Sequence, residues 1–343
     1  MSARLSGPAV AIVTALVARR GQDSTELAEQ TGESVESVRE AIDRLRQQGW
    51  VEETAGSGRG RAPEFGLTVG GLAAFYRTLG EIRDALAPSQ LAGSLPFTVE
   101  TVWRECLCFN YLVEPAVLRS LVPAVFELVT IAGRAIVSVA AASLTSMRPR
   151  GLPDLVGQNF CHITYRAVVR FKHAAGQVRT GYDFIASMTN SELLSRIGNS
   201  VTEFRFHEFR TGTITFLRQG SNVVLGAEGD TPEMTIVASA DLDQGRDSPP
   251  STSVFRSRGE LNSLVLDYSD AFGHVPGNAH VYVLRIDRDA WRYRFVSPRD
   301  RYLGYFQEGR PFDRHTAQLD SVLHCRDIAY RWQPLRREAI AAS

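Results

Sequence analysis

The stretch Ser24–Glu53 reads STELAEQTGESVESVREAIDRLRQQGWVEE. Ser24 opens a helical run with Glu26 and Leu27 just inside, and Gly32 makes a turn after it. Ser34 is a good N-cap. Behind it Val38, Ile42 and Leu45 recur on one face, so a second helix runs to Gly49. Trp50-Val51-Glu52-Glu53 then reads as a short strand. Ala28 is small enough for the two helices to pack closely, and Leu45 closes a core beneath the strand. Upstream, Pro8–Arg20 carries Val10, Val13, Leu16 and Val17 at helical spacing and stops at Gly21. Downstream, the Gly/Arg tip Gly56–Arg61 leads to a return strand at Glu64–Thr68 and a helix over Val69–Ala87. Residues 1–87 are therefore expected to form one small, mostly helical domain.

The run Pro8–Ala18 follows Arg4 and looks like a short signal-peptide core. It is too short to span a bilayer. It continues into Arg19-Arg20 and a helical pattern, so the first helix of a soluble domain is the better reading. The 343 residues leave room for a second domain. Acidic and basic residues balance at 38 each, so any nucleic-acid contact must come from a local patch. Lys172 is the single lysine among the basic residues. The four cysteines lack the spacing of a zinc finger or a disulfide framework. Cys106 and Cys108 form a C-x-C, which on a strand puts both thiols on one face; buried free thiols are common. No metal or cofactor is expected, and the cysteine usage suits a reducing cytoplasm.

Residues 88–97 (PSQLAGSLPF) form a linker. From Thr98 the texture changes to short strands: Val99–Cys108, Arg134–Ser143, His162–Phe171, Gln177–Ser187, Thr202–His207, Thr213–Leu217, Thr235–Ala240, Ala279–Ile286 and Trp291–Ser297. Short helices are expected at Pro115–Leu121 and near Ser191–Arg196. Helices are too few for a βαβ repeat, so the second domain is expected to be a mainly antiparallel β-barrel or sandwich over residues 98–336, with a tail at 337–343. The fold class is α+β multidomain.

The order of elements in residues 1–87 resembles the winged helix-turn-helix regulators, with Ser24–Glu53 and the Gly/Arg tip carrying the likeness. In such a domain the second of the two central helices enters the major groove and the tip reaches the DNA backbone. The candidate DNA-binding residues are Ser34, Val35, Ser37, Arg39, Arg59 and Arg61. Opposing this, residues 1–85 hold ten arginines and twelve acids, with Glu33, Glu36, Glu40 and Asp43 on or beside that helix. A winged helix used for protein contact or dimerisation is the competing reading.

Residues 98–336 resemble the YqjF-like family of uncharacterised proteins within the acetoacetate-decarboxylase-like superfamily. The likeness rests on Trp103, on Val113–Leu118 (VEPAVL) and on Leu121-Val122-Pro123. It continues through Arg148–Pro153 (RPRGLP), the strands His162–Val169 and Gly181–Ser187, and the tail strand Asp327–Leu335. It implies a cone-like barrel with an interior cavity. Where the family favours Glu-x-Asn-x-Arg, this chain has His162-Ile163-Thr164-Tyr165-Arg166. Period-two geometry still puts His162, Thr164 and Arg166 on one face; a solvent-facing stripe is the alternative. With Arg104, these three are the candidate ligand-binding residues. Decarboxylase chemistry in the superfamily uses a Schiff-base lysine, which must sit desolvated beside another cation. Lys172 lies at an expected hairpin end and does not fit, and no catalytic set is identified.

The combined reading is a cytoplasmic one-component transcriptional regulator. DNA and a small-molecule ligand are its partners; it forms a homodimer and makes no membrane contact. The alternatives are an acetoacetate-decarboxylase-like enzyme without the Schiff-base lysine, using His162 as acid or base, and a protein-interaction scaffold.

Overall fold

The computed structural model describes residues 12–13, 16, 21–31, 33–54, 62–68, 71, 98–150, 157–192, 195, 209–274, 277–307 and 311–341. The chain divides into two compact units: residues 1–92 with 150–158, and residues 93–149 with 159–343. The expected strand Thr202–His207, the linker 88–97, nearly all of the helix Val69–Ala87, Arg59 and Arg61 lie outside the described residues.

In the first unit a helix spans Ser24–Thr31 and a second spans Val35–Gln47. Ser34 caps the second as expected, its Oγ accepting from the Ser37 amide at 3.1 Å. Its buried face is Val38, Ala41, Ile42 and Leu45. Gly49 follows at φ +71°, a left-handed stop that glycine adopts without strain. Strands β1 (Val51–Glu53) and β2 (Phe65–Leu67) pair antiparallel. Ile12, Val13, Leu16, Leu27, Val51 and Phe65 complete the small core.

In the second unit seven long or central strands close on themselves. They are β3 (Val99–Val113), β6 (Arg134–Pro149), β7 (Gln158–Lys172), β8 (Val178–Thr189), β13 (Asp270–Gly273), β14 (His280–Arg288) and β17 (Ala317–Trp332). Their order is β17-β3-β6-β7-β8-β13-β14, and β14 returns to β17 through Ile286↔Trp332 and Arg288↔Tyr330. The barrel is mainly antiparallel; β8 and β13 run parallel. The hairpin between β7 and β8 turns at Gly176, φ +82°. Short strands β4 (Glu127–Leu128), β5 (Thr130–Ile131), β9 (Phe209–Thr211), β15 (Tyr293–Phe295) and β18 (Arg336–Ala339) extend the sheet. β18 pairs with β14, so residues 337–339, expected within a tail, belong to the sheet.

A four-stranded sheet of β10 (Thr213–Gln219), β11 (Asn222–Glu228), β12 (Ile236–Asp241) and β16 (Pro298–Leu303) carries the rest of the unit's strands. Its Val223, Leu225, Ile236 and Ala238 join one apolar core with Phe109, Val137 and Tyr165 from the outer face of the barrel. A second core, with Cys106, Cys108, Ala140, Tyr182, Leu284, Leu323, Cys325 and Tyr330, fills the barrel interior. Because both faces of these strands are covered, β3 is buried continuously from Cys106 to Val113.

Candidate functional site

Five barrel strands converge on one interior cavity. Trp103 comes from β3, His162, Thr164 and Arg166 from β7, Tyr182 and Phe184 from β8, Leu284 and Ile286 from β14, and Tyr330 and Trp332 from β17. The space open to the centre of a water molecule is about 40 Å³. That admits a few waters or the head of a small ligand.

The alternation of β7 sets its polar row. His162, Thr164 and Arg166 are 5%, 8% and 3% exposed, and all three face the cavity, as their spacing predicts. His162 Nε2 lies 2.7 Å from Ser187 Oγ. Burial pushes the imidazole down to about 3, so it is neutral across the physiological range. Arg166 donates to Ser138 Oγ at 3.0 Å, and its guanidinium lies 4.9 Å from the centroid of the Tyr182 ring. Among the described residues no carboxylate pairs with it. Its Nε and the Nε1 of Trp103 are buried donors without hydrogen-bond partners. Trp103 stacks on Tyr330, centroids 4.5 Å apart, and meets the edge of Trp291. The cavity therefore presents one buried cation and orphaned donors within apolar and aromatic walls.

Arg104 does not join this row. It points outward, pairs with Asp327 at 3.1 Å and donates to Thr145 Oγ1 at 3.1 Å. As the neighbour of the inward-facing Trp103, it takes the opposite face of β3 by plain alternation. A bulge between Trp103 and Glu105 then resets the strand, so that Cys106 faces inward as well. Lys172 is exposed at the end of β7. It lacks the desolvated setting that a Schiff-base amine needs.

Several wall residues escaped the sequence reading. Tyr330 and Trp332 lie on β17, expected only as a tail strand from Asp327. Tyr182, Phe184, Leu284 and Ile286 belonged to expected strands but carried no polar signal. Cys325 is the cross-strand partner of Cys106, so a third thiol joins the C-x-C pair inside the barrel.

In the first unit Ser34 and Arg39 are exposed, while Val35 and Ser37 are half-buried at the start of the second helix. Arg39 Nε donates to Ser24 Oγ at 3.4 Å, and Glu36 and Glu40 are exposed on the same helix. No described helix is long and apolar enough to cross a membrane.

Residues 100–320 match the family DUF2071, described as an uncharacterized conserved protein. No curated protein matches the chain. Among solved structures, the acetoacetate decarboxylase of Legionella pneumophila is similar at 12% identity and TM-score 0.48, over 75% of this chain and 92% of that one. The enduracididine biosynthesis enzyme MppR, complexed with pyruvate, is similar at 12% identity and TM-score 0.45, over 72% of this chain and 91% of that one. The PcaV transcriptional regulator of Streptomyces coelicolor is similar at 26% identity and TM-score 0.22, over 25% of this chain and 68% of that one.

Proposed function

The chain belongs to the DUF2071 family of uncharacterized conserved proteins, and from its cavity we propose a one-component regulator whose barrel binds a small monocarboxylate and whose first unit binds DNA. The observation that carries the ligand class is Arg166. A guanidinium stays protonated when buried. This one is 3% exposed in an aromatic cavity, with no carboxylate among the described residues beside it. A ligand carboxylate would accept charge-assisted hydrogen bonds from it, and Trp103, another lining residue, carries a second orphaned donor in Nε1. Phe184, Leu284 and Ile286 suit an apolar tail. Held neutral by burial, His162 hydrogen-bonds to Ser187 as a positioning group.

The DNA arm rests on the first unit. Ser34, Val35 and Ser37 sit at a helix N-terminus, which favours phosphate, and Arg39 is exposed beside them. Glu36 and Glu40 oppose phosphate on the same helix. Affinity therefore leans on Arg39 and on Arg59 and Arg61. Carboxylate binding would alter DNA affinity only by favouring one arrangement of the protein over another.

Two measurements test this reading. Butyrate should protect the full chain against thermal unfolding at least tenfold more effectively than butyramide, which keeps the shape and loses the charge. Genomic pull-down should enrich discrete DNA segments, and Arg39→Ala should lower the slope of log affinity against log salt by about 1. Equal protection by both probes would remove the ligand reading. Absence of enriched DNA together with a stable protein partner would replace the regulator with a scaffold.

A further inference from the structure

We propose that Cys106, Cys108 and Cys325 form a buried three-thiolate site for a thiophilic divalent metal ion, with zinc as the fitting case. Cys106 and Cys108 face inward two residues apart on β3, and Cys325 faces them from β17. Their exposures are 0%, 0% and 1%. The Cys106 and Cys108 sulfurs are 3.6 Å apart, and all three sulfurs lie within 4.8 Å of one another. A tetrahedral zinc site with Zn–S of about 2.3 Å needs sulfurs about 3.8 Å apart. One pair already meets that spacing, and the widest allowed pair closes by about 1 Å, within reach of a small rotation at χ1.

Charge supports the same assignment. Three thiolates and a dication sum to one negative charge. Arg166 is buried beside Cys108 and supplies one positive charge, so the filled site is neutral inside the barrel. Hydrogen bonds from Cys106 and Cys325, together with the Arg166 guanidinium, hold the Cys108 thiol well below the ordinary range. Burial pushes Cys106 and Cys325 up. Metal binding displaces thiol protons, so it tightens as pH rises. Soft sulfur ligands select zinc or copper over magnesium or calcium. Among the described residues no fourth protein ligand joins the cluster. A bound ion keeps one coordination position for a small exogenous ligand, the pattern of open zinc sites. Unligated buried thiols are the ordinary alternative. Three of them on one spot, beside a cation that no described carboxylate pairs with, set this cluster apart.

The test uses the full chain, reduced and stripped with chelator, with no carboxylate present, so its outcome is independent of the butyrate experiment. Titration with cobalt(II) should give thiolate-to-metal charge-transfer absorption that saturates at one equivalent, and zinc should bleach it. Cys108→Ser and Cys325→Ser should each abolish the band, whereas Cys161→Ser should retain it. Should the serine variants fail to fold, wild-type protein decides: the folded, reduced chain should hold one equivalent of zinc in competition with a chromophoric chelator. No charge-transfer band from folded wild-type protein with four free thiols would overturn the proposal. So would a full band in Cys325→Ser, or a disulfide within the cluster.

Discussion

Replacing Arg166 by methionine removes the charge and keeps most of the side-chain volume. Burying an ion costs several kcal/mol even after relaxation. In the native barrel this is offset by the Tyr182 cation–π contact, about 2 kcal/mol when desolvated, and by the charged hydrogen bond to Ser138, about 1.5–3 kcal/mol. With no carboxylate partner among the described residues, the sum falls on the side of the apolar residue by about 1–2 kcal/mol. Without ligand, Arg166→Met should therefore unfold at higher temperature, by roughly 2–8 °C for a domain of this size. The same variant should lose all protection by butyrate, because the ligand carboxylate would meet no cation. Thermal scans of both proteins, with and without butyrate and butyramide, read the two effects separately. A structural arginine behaves in the opposite way. If Arg166→Met is less stable than wild type and butyrate still protects it, Arg166 holds the barrel together and is not a ligand anchor.

Two buried groups predict a pH profile. Burial lowers His162 to about 3, so between there and its unfolded value of 6.5 the unfolded chain binds the extra proton and stability rises with pH. Burial raises Asp183 to about 7, with Arg119 partly opposing, so between 3.8 and 7 the folded chain holds the extra proton and stability falls with pH. Across about pH 4 to 6.5 these slopes, each about 1.4 kcal/mol per pH unit, cancel. Urea titrations should show His162→Gln losing stability as pH rises through that window, Asp183→Asn gaining it, and the double variant resembling wild type. Parallel slopes in the two single variants would refute the assignment. Zinc loading should weaken butyrate protection, because the thiolates then take the charge of Arg166; undiminished protection at one equivalent of zinc would separate the two sites.

The polar row of the cavity was legible because β7 keeps strict alternation through His162, Thr164 and Arg166. Arg104 was grouped with this row as the neighbour of Trp103, although adjacent residues on a strand take opposite faces. β17 was mostly missed for a different reason. Ala317–Trp332 (AQLDSVLHCRDIAYRW) mixes apolar and polar residues without a clean period, since the strand is wrapped on both faces and slips register between Leu319 and Ser321. The cost was Cys325 and half of the thiol cluster's logic. Cys325 stands 217 residues beyond Cys108, and only the pairing of β17 with β3 brings it there. In the first unit the N-cap Ser34, the face Val38-Ile42-Leu45 and the stop at Gly49 were all readable, because each is a local rule satisfied within two turns of helix.

A barrel this size could fill its interior with valine, leucine and phenylalanine, as the outer core does with Leu107, Phe109, Val137, Val139 and Phe171. The inner face instead carries a buried polar line. It includes His162 with Ser187, Thr164, Arg166 with Ser138, and Asn110, whose amide donates to Ser321 at 3.2 Å. The three thiols continue it. Hydrogen bonds satisfy only part of this line: Asn110 Oδ1, Arg166 Nε and Trp103 Nε1 are buried without partners. Each such atom costs about 1–3 kcal/mol, and an apolar residue would remove the cost. The outer core shows that this chain can pack apolar residues against these same strands. Partnerless buried atoms occur elsewhere too, Tyr165 Oη in the outer core among them, but on the cavity face two of them, Arg166 Nε and Trp103 Nε1, belong to residues that line an open space, and the cavity holds a buried cation; that combination is the physical reason to read the interior as a binding site.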